Sequence, residues 1–230
     1  MCYSVESSAK TTLFSLLAII YLLFSGNPYY KWIAITLIGW CVMQFAEMLL
    51  WLTEPNKGCT KINTVITLTL IPLVLVMQPL GSLLGSFFVI PWSESTEFRK
   101  NFIIYYSIFI VLSVSWAHYY NPYKLCTTVT KSGHLFWATI NPEIQTNKWY
   151  TFCYFIWSFL IFIPLLFFWN KNFMIIYCLL LFPIFGFFYG LYFTDSRASI
   201  WCYYTSYTSM LASGFLFLKQ IGIYDILNTS

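Results

Sequence analysis

Glu47 stands out by its surroundings. It lies in GWCVMQFAEMLLWL (Gly39 to Leu52), where every other residue is uncharged and most are apolar or aromatic. At 100° per residue, Trp40, Gln44, Glu47 and Trp51 fall within about a 60° arc of a helix, a polar and aromatic stripe on one face. A carboxylate at membrane depth is costly, so such a residue faces the bundle interior. Counting from the end of its apolar segment, Glu47 sits roughly 7–8 Å below one membrane surface. A group there can coordinate a cation, relay a proton or hold a polar headgroup.

Other polar residues reach a similar depth. Cys202, Ser206, Ser209 and Ser213 recur at i, i+4, i+7 and i+11 near the end of the chain. Ser115 and His118 close the fourth apolar segment, Thr60, Thr64 and Thr67 open the third, and Tyr203, Tyr204 and Tyr207 ring the top of the last. These residues define two expectations. An ion or proton site would use Glu47 supported by Gln44, Ser206 and His118. A ligand pocket would have Trp40, Trp51 and Tyr203 as walls, with Ser115 and Ser209 beside them. The structural alternatives are plain: serine stripes are often packing seams, and Glu47 can be protonated or bonded to Gln78, a tyrosine or Arg197.

The elements that must hold these residues follow from composition. The chain has 230 residues, 59% hydrophobic and 9% charged, where a soluble domain carries about 25% charged residues. That defines an integral membrane protein, with the lipid bilayer as its first partner. Seven segments are long and apolar enough to span: 4–24, 31–52, 60–89, 98–117, 149–169, 173–193 and 196–220. The expected fold is an all-α bundle of seven transmembrane helices forming a single domain over 1–230. The 118–148 loop contains LCTTVTKSGHLFWATI, β-branched and aromatic around Lys131-Ser132-Gly133. It reads either as a small β-hairpin cap or as an irregular loop.

Lys10 followed by an apolar run imitates a secretory leader. The run is long enough to span and lacks a small-x-small cleavage site, so a retained first helix is expected. Gly81-x-x-x-Gly85 and Gly186-x-x-x-Gly190 read as helix-packing faces. Pro72, Pro79 and Pro183 interrupt helices and free carbonyls. Gln78, beside Pro79, is the place to look for the far end of any through-path.

Seven spans put the two termini on opposite sides. The side of the N-terminus, here the first face, carries Lys10, Lys57, Lys61, Lys124, Lys131, Lys148 and Arg197; the second face carries Lys31, Arg99, Lys100, Lys171 and Lys219. That balance does not decide orientation. Cysteines lean one way: Cys2, Cys59, Cys126 and Cys202 gather at the first face. Disulfides Cys59–Cys126 and Cys2–Cys202 would suit an oxidising compartment, with the N-terminus non-cytoplasmic. Free structural cysteine is the alternative.

Several chemistries lack their residues. A retinal Schiff base needs a lysine within the last helix, and Lys219 is at its end. Intramembrane zinc hydrolysis needs several histidines, and only His118 and His134 exist. No histidine is placed to activate Ser86. No Gly-Tyr-Gly filter appears, and Asn121-Pro122-Tyr123 lies in a loop rather than in a receptor's last helix. No basic run or phosphate loop invites nucleic acid. No metal site or cofactor is indicated. An intramembrane enzyme ranks lowest.

The start MCYS (Met1 to Ser4), EMLLW (Glu47 to Trp51) and SIWCYY (Ser199 to Tyr204) resemble a set of small polytopic membrane proteins of microbial eukaryotes and large DNA viruses. Those begin Met-Cys-aromatic-Ser and have no assigned activity. The resemblance implies a topology of about seven helices and groups Cys2, Glu47, Trp51, Trp201 and Cys202. The resemblance carries no mechanism; Glu47 makes the leading function a transporter or channel-like protein for a proton, cation or small solute. The alternative is a seven-helix sensor that binds a lipid or small apolar ligand under the long loop. An oligomer is compatible with either.

Overall fold

The computed structural model describes residues 4–119, 126–130, 133–137, 156–157, 159–164 and 197–222; the side chains of 117–119 and 197–203 are not described. Helix α1 is Val5–Leu23. Its N-terminus is capped by Ser4, whose hydroxyl accepts from Ser7 N at 3.2 Å. Helix α2 is Pro28–Leu52. Pro28 at its first turn suits a position whose N–H would be orphaned anyway. The Asn27 side chain accepts from Tyr29 N at 2.9 Å. Glu54 and Gly58, with φ of 54° and 114°, turn the chain through a short 3-10 turn at Pro55–Lys57. Thr60 then caps helix α3, Lys61–Gly85, by accepting from Asn63 N at 3.1 Å.

Pro72 and Pro79 lie inside α3 without ending it. The helix tightens into a 3-10 turn at Ser86–Phe88 and a second at Trp92–Glu94 leads into helix α4, Glu97–Tyr119. The last helix, α5, is Arg197–Gln220. Four of these helices are long and apolar enough to cross a membrane: α1, α2, α3 extended to Phe88, and α4 through Trp116. At 24 residues α5 has the length, but its Ser, Thr and Tyr content leaves it outside that group. Residues 156–157 and 159–164, within the expected fifth span, are helical; the rest of that span and all of 173–193 lie outside the described residues.

The hairpin is present as two short antiparallel strands, β1 (Thr128–Val129) and β2 (Leu135–Phe136), in register Thr128 to Phe136 and Val129 to Leu135. Thr130 N donates to His134 O at 2.8 Å, and Gly133 takes the positive φ of 81° that its turn requires.

Helix α2 is the hub. Its most apolar stretch is 67% buried, against 28–33% in α1, α3 and α4. It packs on α1, α3 and α5. One apolar cluster joins Ile19 and Leu22 of α1 to Ile33, Leu37 and Trp40 of α2, to Phe162, and to Leu216 of α5. A second joins Met43, Leu50 and Trp51 of α2 to Ile71 and Val74 of α3 and to Leu135 and Trp137 of the hairpin segment. The hairpin is therefore seated in the bundle rather than laid over it. Outward faces are apolar too, as Phe14 and Leu17 on α1 and Tyr105 and Leu112 on α4 show by their exposure.

Candidate functional site

The stripe expected on α2 turns inward. Trp40, Gln44 and Glu47 are 0% exposed and Trp51 is 9% exposed. Trp40 sets the direction of the stripe. Its Nε1–H donates to the Gln78 carbonyl at 3.2 Å, and its ring meets Phe162 edge-on with centroids 5.8 Å apart. Gln44, one turn before Glu47, lies against α1, with Thr11 Oγ1 3.1 Å from its Oε1. Glu47 is thus a wholly buried carboxylate on the most buried helix, within one turn of a buried amide.

The other expected members fall into three groups. Ser206 and Ser209 of α5 are 0% exposed. The Ser209 hydroxyl donates to the Ser206 carbonyl at 2.7 Å, so it serves its own helix. Ser115 is exposed on α4, a helix that packs on α3 and on the 156–164 segment. It does not join the buried group, because α4 turns its other side to the bundle. The side chains of His118, Tyr203 and Cys202, and all of Cys2, lie outside the described residues.

Cys59 and Cys126 form a disulfide with Cα atoms 5.5 Å apart. It ties the turn after α2 to the strand segment. Beside it, the Asn63 side chain grips Thr127 by both main-chain groups. Thr127 N donates to Asn63 Oδ1 at 2.8 Å, and Asn63 Nδ2 donates to Thr127 O at 3.0 Å. The Thr67 and Thr127 hydroxyls meet at 2.8 Å.

Gln78 is 2% exposed and its Nε2 has no hydrogen-bond partner among the described residues. An open groove of about 500 Å³ runs along α4 between Phe98, Phe102, Tyr105, Phe109, Leu160 and Ile163, and includes none of the stripe. Residues absent from the sequence-derived site include Ser8, Thr11 and Ser15 on α1, Cys41 on α2 and Asn63 on α3. Ser8, Thr11 and Ser15 recur at i, i+3 and i+7, a visible signal. Among the described residues no group of three or more His, Cys, Asp or Glu could hold a metal ion.

Compared with protein-family models, with curated proteins and with solved structures, the chain finds no match.

Proposed function

We propose that the chain is a multi-pass, seven-span membrane protein that moves a proton or a cation, with Glu47 as the titrating or coordinating group. The observation that carries this reading is the complete burial of Glu47 on the central helix. Removing a carboxylate from water costs several kcal/mol even after the protein relaxes, roughly what a well-packed apolar residue would save. A group kept at that cost is a functional candidate by default. Gln44 supports it from the preceding turn, and Ser206 and His118 are the remaining candidates for its surroundings.

The disulfide bears on orientation. Cys59 and Cys126 lie at the end of the bundle that carries the N-terminus, and a persistent disulfide suits an oxidising compartment. The N-terminus is accordingly assigned to the non-cytoplasmic side. The alternative of an apolar ligand held under the long loop draws less support. Trp40 packs against Phe162, and Trp51 shares its cluster with Leu135 and Trp137, so two of the pocket's three expected walls are engaged in apolar packing.

The test is proton and cation flux in proteoliposomes, wild type beside Glu47→Gln. The glutamine variant is isosteric and cannot titrate. Flux abolished in well-folded Glu47→Gln supports the reading. Unchanged flux in that variant removes Glu47 from the mechanism.

A further inference from the structure

Helix α4 carries a row of rings. Phe98, Phe102, Tyr105 and Phe109 stand at i, i+4, i+7 and i+11, so they share one side of the helix. They form one wall of the open groove of about 500 Å³, and Leu160 and Ile163 face them. That volume lies within the range of small-molecule sites, about 300–1,000 Å³. Phe98, Tyr105 and Phe109 are each more than half exposed, so the groove is open along its length. Its wall is stiff. The Phe102 and Tyr106 rings stack with centroids 5.3 Å apart and planes 28° from parallel. The Tyr106 hydroxyl donates to the Leu160 carbonyl, which ties the wall to the facing segment.

The groove has the depth of one leaflet. Helix α4 is long and apolar enough to cross a membrane, and Phe98 lies in its first turn, at the second face. From Phe98 to Phe109 the helix rises about 16 Å at 1.5 Å per residue, half of a hydrocarbon core about 30 Å thick. An occupant of that length at that depth comes from the bilayer. Asn101, one turn into α4 and exposed, lines the mouth, and its amide both donates and accepts. The basic residues beside it are engaged elsewhere. Arg99 donates to the Ile90 carbonyl and to the Ser86 and Ser95 hydroxyls. Lys100 pairs with Glu97 at 2.9 Å and lies 5.9 Å from the Trp92 ring centroid. Neither lines the groove. A phosphate headgroup is held by such cations; this mouth suits an uncharged hydroxyl.

We propose that this groove binds a sterol from the second-face leaflet, with its fused rings along the aromatic wall and its hydroxyl on the Asn101 amide. A flat apolar ring system covers a row of rings and gains from the area buried. Being rigid, it loses little freedom on docking, whereas an acyl chain must be ordered bond by bond to lie in the same place. One neutral donor and acceptor at the mouth matches one hydroxyl. The groove includes none of the α2 stripe, so the assignment holds whether or not the chain moves protons or cations.

Photolabelling of the full chain in phosphatidylcholine vesicles tests the site. One probe is a cholesterol analogue with a diazirine on its ring system. The other is phosphatidylcholine with a diazirine in an acyl chain. Adducts are located by mass spectrometry after digestion. The sterol probe should label 98–109 and 160–163 at least about tenfold more than the exposed face of α1 at Phe14 and Leu17, and excess cholesterol should remove that label. The phospholipid probe should label α1 and α4 alike. Even labelling of the two helices by the sterol probe overturns the proposal. A phospholipid label concentrated in the groove and unmoved by cholesterol gives the site to an acyl chain and overturns it too. So does the absence of both labels from the groove with α1 labelled, which would mean that protein covers it. Asn101→Leu tests the hydroxyl contact at an exposed position, where the change leaves the core alone. Loss of one hydrogen bond predicts that cholesterol competes about fivefold more weakly in this variant. Unchanged competition overturns the role of Asn101.

Discussion

The indole of Trp40 donates to the main-chain carbonyl of Gln78 across 3.2 Å, and Trp32, two turns earlier on α2, donates in the same way to the Ser82 carbonyl at 2.9 Å. These two bonds set α2 against α3. They are possible because Gly39 and Gly81 let the two backbones nearly touch: a Cβ on Gly81 would lie 3.3 Å from the Gly39 Cα. With that pairing fixed, Gln44, Glu47 and Trp51 point into the bundle as a consequence of helical geometry.

The close approach gives a first prediction. A Cβ at Gly39 would collide with the Met77 carbonyl oxygen. Gly39→Ala should therefore lower stability by about 1–3 kcal/mol, the usual cost of overpacking. At Gly81 the nearest atom would be the Ile35 carbonyl oxygen at 3.1 Å, so Gly81→Ala should cost less. Trp40→Phe, which deletes only the donor and some ring, should cost about 1 kcal/mol for the lost bond. Thermal unfolding in detergent ranks the three. A Gly39→Ala protein as stable as wild type would show that the helices are not in this contact.

The Cys59–Cys126 bridge gives a second. It spans a sequence separation of 67 residues. Its removal by Cys59→Ser should cost about 2–4 kcal/mol. Intact-protein mass should rise by two hydrogens per bridge on reduction of the wild type. In sealed vesicles, an impermeant maleimide should label the freed, exposed Cys59 of Cys126→Ser from the side that carries the N-terminus. Labelling only from the opposite side would contradict the placement of the turn after α2.

Asn63 gives a third. It supplies Thr127 with an acceptor and a donor, the role a neighbouring strand would play. Asn63→Ala leaves the buried Thr127 carbonyl unmet, at about 1–3 kcal/mol, and leaves the Thr127 N–H with Thr67 Oγ1 alone, at 3.1 Å. Asn63→Asp keeps the acceptor and loses the donor, so it should fall between alanine and wild type. Hydrogen exchange at Thr127 reads the effect directly: exchange should quicken in Asn63→Ala, and unchanged protection would refute the clamp.

A fourth concerns the connection between α3 and α4. Arg99, 8% exposed, donates from Nη1 to the Ile90 carbonyl at 2.8 Å and to the Ser95 hydroxyl, and from Nη2 to the Ser86 hydroxyl at 3.0 Å. One planar fork thus holds three points of the 86–95 segment, and Phe87 lies beside the guanidinium, 5.8 Å from ring centroid to Cζ. Lysine offers a point charge in place of the fork. Arg99→Lys should cost about 1–3 kcal/mol, with faster exchange confined to 86–95. Uniform exchange across the chain would argue against a local clamp.

Much of the architecture was legible in the residues themselves. The apolar runs 4–24, 31–52, 60–89 and 98–117 match α1 to α4 closely, because Ser4, Asn27-Pro28 and Thr60 are local stop-and-start signals that need no tertiary partner. The inward direction of Trp40, Gln44, Glu47 and Trp51 was legible for the same reason, since the stripe is a property of one helix. Gly81 and Gly85 read as a packing face, and both abut α2.

Only the tertiary structure decided what each stripe meets. Thr11 faces Gln44 across 33 residues, and Cys41 faces Thr205 across 164. Cys59 meets Cys126 where the hairpin segment docks on Asn63 and Thr67. Ser115 was expected in a pocket and is exposed, because a helix apolar all round carries little record of which side its neighbours cover. In such helices the rotation about the axis is set by backbone approach and interhelical hydrogen bonds, as at Gly39 and Trp40, and those exist only once the helices have met.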